Sequence, residues 1–201
     1  MAFVPEASDT GSRAYAERLE RLSGARWKRW LDVQAPYRWN LRRLRLGRTL
    51  DVGCGIGRNL AHLPPGSVGI DANPHSVAAA RRRGLDAFEP DAFRSVGSGA
   101  APFDALLFAH VLEHLRPAAA EALVAEHLAF LRPGGRVVLI TPQEAGFRSD
   151  PTHVSFLDLS ALRALLARLG CEIERGYSFP LPRSLGHVFR HNEFVVVGRR
   201  A

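Results

Sequence analysis

Asp51 stands just ahead of three glycines at alternate positions, Gly53, Gly55 and Gly57, and this is the first spacing in the chain that could do chemistry. Glycine takes φ > 0 and has no Cβ, so such a loop turns sharply and lets a ligand approach the backbone. Leu50 to Val52 close a short apolar run before it. Arg58, Asn59 and Leu60 read as the first turn of a helix running to His62, with free N–H groups aimed over the loop. A dinucleotide fingerprint would need glycine where Arg58 stands, and a phosphate-gripping P-loop would need a Gly-Lys-Ser/Thr that is absent. Asp71 follows Gly53 by 18 positions, a distance at which an acid can accept hydrogen bonds from both ribose hydroxyls. Taken alone, it would serve equally well as a helix N-cap. Farther on, His110, Glu113, His114 and His153 are the candidate bases.

The elements that must position these groups alternate. Strands are expected at Leu50–Val52, Ser67–Ile70, Leu85–Phe88, Phe103–Ala109 and Arg136–Thr141. Helices are expected at Pro74–Arg83 and Pro117–Leu131, with Glu89 to Phe93 as a loop. Phe103 to Ala109 is almost wholly apolar, as a strand buried on both faces should be. Such alternation signals right-handed crossovers and a parallel sheet, whose ligands bind beyond the carboxyl ends of the strands. Asp51 to Gly57, Asp71, Asp91 and His110 all fall at those ends. The tail differs: a polar loop from Gln143 to Ser155, a helix at Leu157–Leu169, then strands at Cys171–Phe179 and Glu193–Gly198. No crossover helix fits between the last two, so the final strand is expected to be antiparallel.

The run Asp-x-Gly-x-Gly-x-Gly closely resembles motif I of class I S-adenosylmethionine-dependent methyltransferases, and Val-Leu-Glu-His-Leu at 111–115 is a frequent form in their small-molecule members. The resemblance covers roughly residues 37 to 200. It implies an α/β, Rossmann-like, seven-stranded and mostly parallel sheet with an antiparallel last strand and helices on both faces. It also implies S-adenosylmethionine as cofactor and S-adenosylhomocysteine as product. The cofactor site it implies comprises Asp51, Gly53, Cys54, Gly55, Gly57 and Arg58, then Asp71, Ala72 and Asn73, then Asp91, Ala92 and Phe93 near the adenine, and His110. Asp91 taken alone reads equally well as a solvated loop acid.

Methyl transfer from a sulfonium needs an aligned nucleophile, exclusion of water and, for some acceptors, a base. His110 and His153 are the catalytic candidates. His110 ends the fourth strand, where packing against the cofactor competes with a role as base. His153 lies in the loop after the fifth strand, and there fixing the loop competes with catalysis. Glu113 and His114 are expected to cap the following helix or face inward. No third ligand is evident beside His110 and His114, so no metal site is expected. The chain lacks the Asn/Asp-Pro-Pro-aromatic motif of amino-methylating nucleic-acid enzymes and the Pro-Cys nucleophile of cytosine-C5 enzymes. A small-molecule acceptor, methylated on O or N, is the leading expectation.

The 201 residues fit one domain, with residues 1–46 as an N-terminal helical cover and 47–201 as the Rossmann-like core. In the cover, helical spacing is expected over 12–22, over 25–33 and from Pro36 onward, with Tyr37, Leu41 and Leu44 on one face. Tyr37 and Arg38 are candidates for the methionine end of the cofactor, since a guanidinium suits a carboxylate. The net charge of +7 invites a nucleic-acid reading, but the chain has one lysine, and arginine among abundant Ala, Leu and Gly points to genomic bias. Two cysteines make no disulfide framework, and no apolar run approaches the ~18 residues of a membrane span. A cytoplasmic location is expected; the oligomeric state is unread. An RNA methyltransferase using Trp27, Trp30 and the neighbouring arginines is the second reading, and a non-catalytic S-adenosylmethionine-binding regulator the third.

Overall fold

A computed structural model describes residues 34–97 and 102–201. The expected helices over 12–22 and 25–33 lie outside these residues. Helix α1, Ala35–Leu44, begins with Pro36 in its first turn, where a missing N–H costs nothing, and ends at Arg45 in the left-handed conformation. Strands β1 (Thr49–Val52), β2 (Val68–Ile70), β3 (Ala87–Phe88), β4 (Phe103–Ala109), β5 (Leu131–Pro142), β6 (Cys171–Phe179) and β7 (Glu193–Arg200) form one sheet in the order β3-β2-β1-β4-β5-β7-β6. Pairs within β3-β2-β1-β4-β5 are parallel, and β7 runs antiparallel to both β5 and β6. The expected reversal of the last strand is therefore observed.

Alternation along the central strands decides what each face buries. Leu106 and Phe108 of β4, Val137 and Leu139 of β5, and Phe194 and Val196 of β7 join one cluster. Helices α4 (Pro117–His127) and α6 (Leu159–Arg168) cover it with Ala120, Val124, Leu162 and Leu166. Ala105, Leu107, Val138, Ile140, Val195 and Val197 face the other way and receive Leu41 and Leu44 of α1. Each such leucine contributes roughly 1.5–3 kcal/mol by leaving water. Tyr177 Oη donates to Asn40 Oδ1 at 2.8 Å and Arg136 donates to the Leu44 carbonyl at 3.1 Å, so polar contacts also dock α1.

Three local expectations change. The segment after the glycine loop is a series of turns and one 3-10 turn, Leu60–His62, with no α-helix; Pro64-Pro65-Gly66 stop it before a full α-turn can repeat. Pro90–Gly97, expected to start as a loop, is helix α3: Pro90 opens it, Asp91 sits in the first turn, and Arg94 pairs back to Asp91 at 2.7 Å. β5 begins at Leu131, so Arg132-Pro133-Gly134-Gly135, expected to turn between the helix and a strand from Arg136, is a register irregularity inside it. Helix α2, Pro74–Arg82, and a short helix α5, Glu144–Phe147, complete the α-helices among the described residues.

Candidate active site

The glycine loop is laced to the end of β2. The N–H groups of Gly53 and Cys54 both donate to the Ile70 carbonyl, at 2.8 and 3.0 Å. Gly53, Gly55 and Gly57 have φ of 77°, 54° and 78°, a region where a Cβ is strained. Gly55 N–H donates to Asp71 Oδ2 at 2.7 Å, and Asn73 N–H donates to Asp71 Oδ1 at 2.8 Å. Burial raises the Asp71 pKa, while these bonds from Asn73 and Gly55 oppose the rise. Asp51 lies beneath the loop, fully buried, and accepts from the Leu60 N–H. Its Oδ2 has no hydrogen-bond partner. Burial first, then the charge of Asp71, pushes the Asp51 carboxyl up to about 7.

The second part of the site gathers around His110, which directly follows β4 with φ of 58°. Its Nδ1 lies 3.2 Å from Glu113 Oε1 and its Nε2 2.8 Å from Glu193 Oε1. Burial disfavours the charged ring, but the hydrogen bonds and charges of Glu113 and Glu193 outweigh it and hold the pKa up to about 10. Two carboxylates facing its two nitrogens favour the protonated ring. Both ring nitrogens are engaged by carboxylates, a setting that suits holding Glu193 in place better than accepting a proton. Glu193 was not among the expected residues. β7 runs backwards, so its first residue sits at the edge where the parallel strands end, paired with Pro142 of β5. A buried polar network holds it there: Gln143 Nε2 donates to the Glu193 carbonyl at 2.8 Å, and Asn192 Nδ2 donates to Gln143 Oε1 at 3.1 Å.

Glu113 and His114 form a 3-10 turn, Leu112–His114, with Glu113 fully buried and facing inward as expected. The loop carrying His153 docks on that turn, since Val154 and Ser155 N–H both donate to the Glu113 carbonyl, at 2.8 and 3.1 Å. His153 is 10% exposed at its side chain, with Nδ1 2.8 Å from the Phe147 carbonyl and Nε2 4.0 Å from Glu113 Oε1. The ring rests against His114 at 4.8 Å between centroids and stacks on Phe147. Burial lowers the His114 pKa.

A family model described as a methyltransferase domain matches residues 10–197. The chain belongs to the methyltransferase-domain family. A comparison with curated proteins gives no match. Among solved structures, the methyltransferase is similar to a SAM-dependent methyltransferase from Archaeoglobus fulgidus, at 18% identity over 86% of this chain and 97% of that one, with a TM-score of 0.65. It is also similar to magnesium protoporphyrin IX methyltransferase from Synechocystis with bound SAM (14%, 96% and 94%, 0.67). N-methyltransferase NodS from Bradyrhizobium japonicum, in complex with S-adenosylhomocysteine, gives 20% identity, 92% and 97% coverage and a TM-score of 0.66. These likenesses establish the fold as that of S-adenosylmethionine-dependent methyltransferases.

The methyltransferase's loop fits such a cofactor on its own geometry. Asp71 uses two of a carboxylate's roughly four lone-pair sites on backbone N–H groups, which leaves acceptors for a ribose diol. The other expected residues have these surroundings. The Cys54 side chain is turned into a packet of Leu60, Val77, Ala80 and Ala87, and Asn73 caps α2 by accepting from His75 and Ser76 N–H. Ala72 is exposed, and Arg58 lies in the turn after the loop. Phe93 packs on Phe88, Phe103 and Phe130 inside the core, so it has no free face for an adenine; Asp91 and Ala92 are exposed on α3. Tyr37 and the half-buried Arg38 lie on α1, with the Tyr37 hydroxyl donating to the His191 carbonyl at 2.6 Å. Burial first, then the charge of Glu193, raises the Tyr37 phenol, and its ring meets Phe179 edge-on.

Proposed function

We propose that the protein transfers a methyl group from S-adenosylmethionine to an oxygen or nitrogen of a small-molecule acceptor, a metabolite, sugar or lipid-linked intermediate. The observation that carries this reading is the placement of two polar centres at one edge of the sheet. Asp71 and the glycine loop stand at the ends of β2 and β1, and the Glu113–His110–Glu193 chain stands at the end of β4 and the start of β7. The bound cofactor supplies an activated methyl group on sulfur. Asp71 would hold the ribose hydroxyls and the loop N–H groups the methionine side. His110, protonated, neutralises Glu193 and fixes its carboxylate, which can accept a hydrogen bond from the acceptor's O–H or N–H and orient it. Two carboxylates at this end suit a neutral or cationic acceptor better than a phosphate backbone, which supports a small molecule over RNA.

Incubation with S-adenosylmethionine labelled on the methyl group tests this. Label is expected in small molecules of a metabolite extract and not in RNA from the same cells. Label in RNA would favour the reading based on Trp27 and Trp30, which lie outside the described residues. Absence of S-adenosylhomocysteine binding by calorimetry would remove the proposal altogether. Binding without transfer to any fraction would leave the regulatory reading.

A further inference from the structure

We propose that Glu113, His114 and His153 form a binding site for one divalent transition-metal ion. Among the described residues they make the one group of three or more His, Cys, Asp or Glu whose candidate ligand atoms all lie within 4.8 Å of one another. The sequence offered His110 and His114 four residues apart and no third ligand. The fold replaces His110 in that set with its neighbour Glu113 and brings in His153 on a docked loop.

Three details point to a ligand. His114 Nδ1 lies 3.1 Å from the Thr152 carbonyl and His153 Nδ1 lies 2.8 Å from the Phe147 carbonyl. A carbonyl only accepts, so each Nδ1 faces a group to which it can donate, and Nε2 is the ring nitrogen left to ligate. Tying the far nitrogen of a histidine to a backbone carbonyl is how metal ligands are oriented. Glu113 has a side chain 1% exposed and an Oε2 without any hydrogen-bond partner. A buried carboxylate oxygen left unpaired is costly, and a cation is the partner that would satisfy it.

Two imidazoles and one carboxylate suit zinc, manganese, iron or cobalt better than calcium or magnesium, which prefer oxygen alone. Ligand atoms around one such ion stand roughly 3–3.5 Å apart, given bonds of about 2.0–2.2 Å. His153 Nε2, now 4.0 Å from Glu113 Oε1, would have to move inward by roughly 0.5–1 Å to reach that spacing. Three protein ligands leave at least one position open. Used on an acceptor hydroxyl, that position would ease loss of its proton. This use rests on the function proposed above; metal binding itself does not.

The test uses the full chain, stripped with chelator, without cofactor or acceptor. Titration with Co²⁺, followed by visible absorption, and with Zn²⁺, followed by calorimetry, is expected to saturate at one ion per chain. His153→Ala and Glu113→Gln are each expected to weaken binding by more than about 100-fold, beyond the ~10–100-fold of losing an outer hydrogen-bond partner. His187→Ala, an exposed histidine outside the group, is expected to bind as the wild type does. No saturable binding by the wild type, or unchanged binding in His153→Ala, overturns the proposal. Should the variants fail to fold, X-ray absorption of the Co²⁺-loaded wild type decides: two imidazoles in the shell support the site, and none overturns it.

Discussion

His110 Nε2 lies 2.8 Å from Glu193 Oε1, a contact between residues 83 positions apart that ties the end of β4 to the start of β7 across β5. Glu113 holds the other ring nitrogen, so the imidazolium is gripped on both sides. Glu193→Gln keeps the size of the side chain but removes the charge and one acceptor oxygen. On the proposed function, turnover should fall on the order of 10²-fold through loss of orientation, while S-adenosylhomocysteine affinity stays within about threefold. Parallel steady-state kinetics and calorimetry read the two effects separately. A matching loss in cofactor affinity would place Glu193 in the cofactor site instead.

Asp71 sets the geometry of the loop and, on the proposed function, holds the ribose. Asp71→Asn retains one acceptor oxygen but loses the charge and an acceptor for either Gly55 or Asn73 N–H. Hydrogen bonds to a charged group contribute about 1.5–3 kcal/mol, so S-adenosylhomocysteine should bind roughly 10–100-fold more weakly. Unchanged affinity in calorimetry would mean that the ribose lies elsewhere.

Asp51 makes stability depend on pH in a predictable direction. Its carboxyl is pushed up to about 7 by burial and by Asp71. An unfolded aspartate has a pKa near 3.9. Between these values the folded chain holds a proton that the unfolded chain has released, so stability falls as pH rises from about 4 to about 7 and levels off above. At ~1.4 kcal/mol per pH unit, this group's share is a few kcal/mol. Asp51→Asn should flatten that part of the profile and raise the melting temperature at pH 8. A variant that melts lower than the wild type at pH 8 would show that the charge is compensated.

Gly57 combines φ of 78° with no room for a side chain: a Cβ would stand 2.3 Å from Leu85 Cδ1 and 3.3 Å from Ala80 Cβ. Gly84 has a similar φ of 76° and nothing within 4 Å. Gly84→Ala should therefore cost only the backbone penalty, about 1–2 kcal/mol. Gly57→Ala should cost that and about 1–3 kcal/mol more from overpacking. Urea denaturation of the two variants compares them directly. Equal losses would mean that Leu85 yields freely.

Asn192 binds the region together from a fully buried position, with Nδ2 donating to Gln143 Oε1 and Ser178 Oγ and Oδ1 accepting from Leu181 N–H. Asn192→Ala leaves several of these partners unsatisfied, each worth about 1–3 kcal/mol. Because Gln143 also supports the Glu193 backbone, the variant should lose turnover as well as melting temperature. Full activity in a destabilised variant would confine the network to a structural role.

Only the structure gave the strand order, whereas the sequence determined the fold class, the positions of the strands, the reversed last strand and the glycine–Asp71 pair. These depend on signals local to a few residues: apolar runs, periodicity, breakers and a glycine spacing. It overreached at Phe93, because an apolar residue after a strand end reads the same whether it faces a ligand or the core. Only the tertiary structure decided what surrounds His110. Glu193 gave no local signal, and it reaches the site because an antiparallel strand begins where the parallel strands end. His153 joins Glu113 and His114 only because two N–H groups of its loop donate to one carbonyl. Contacts of that kind depend on which backbone groups find each other once the sheet has formed, and no spacing along the chain encodes them.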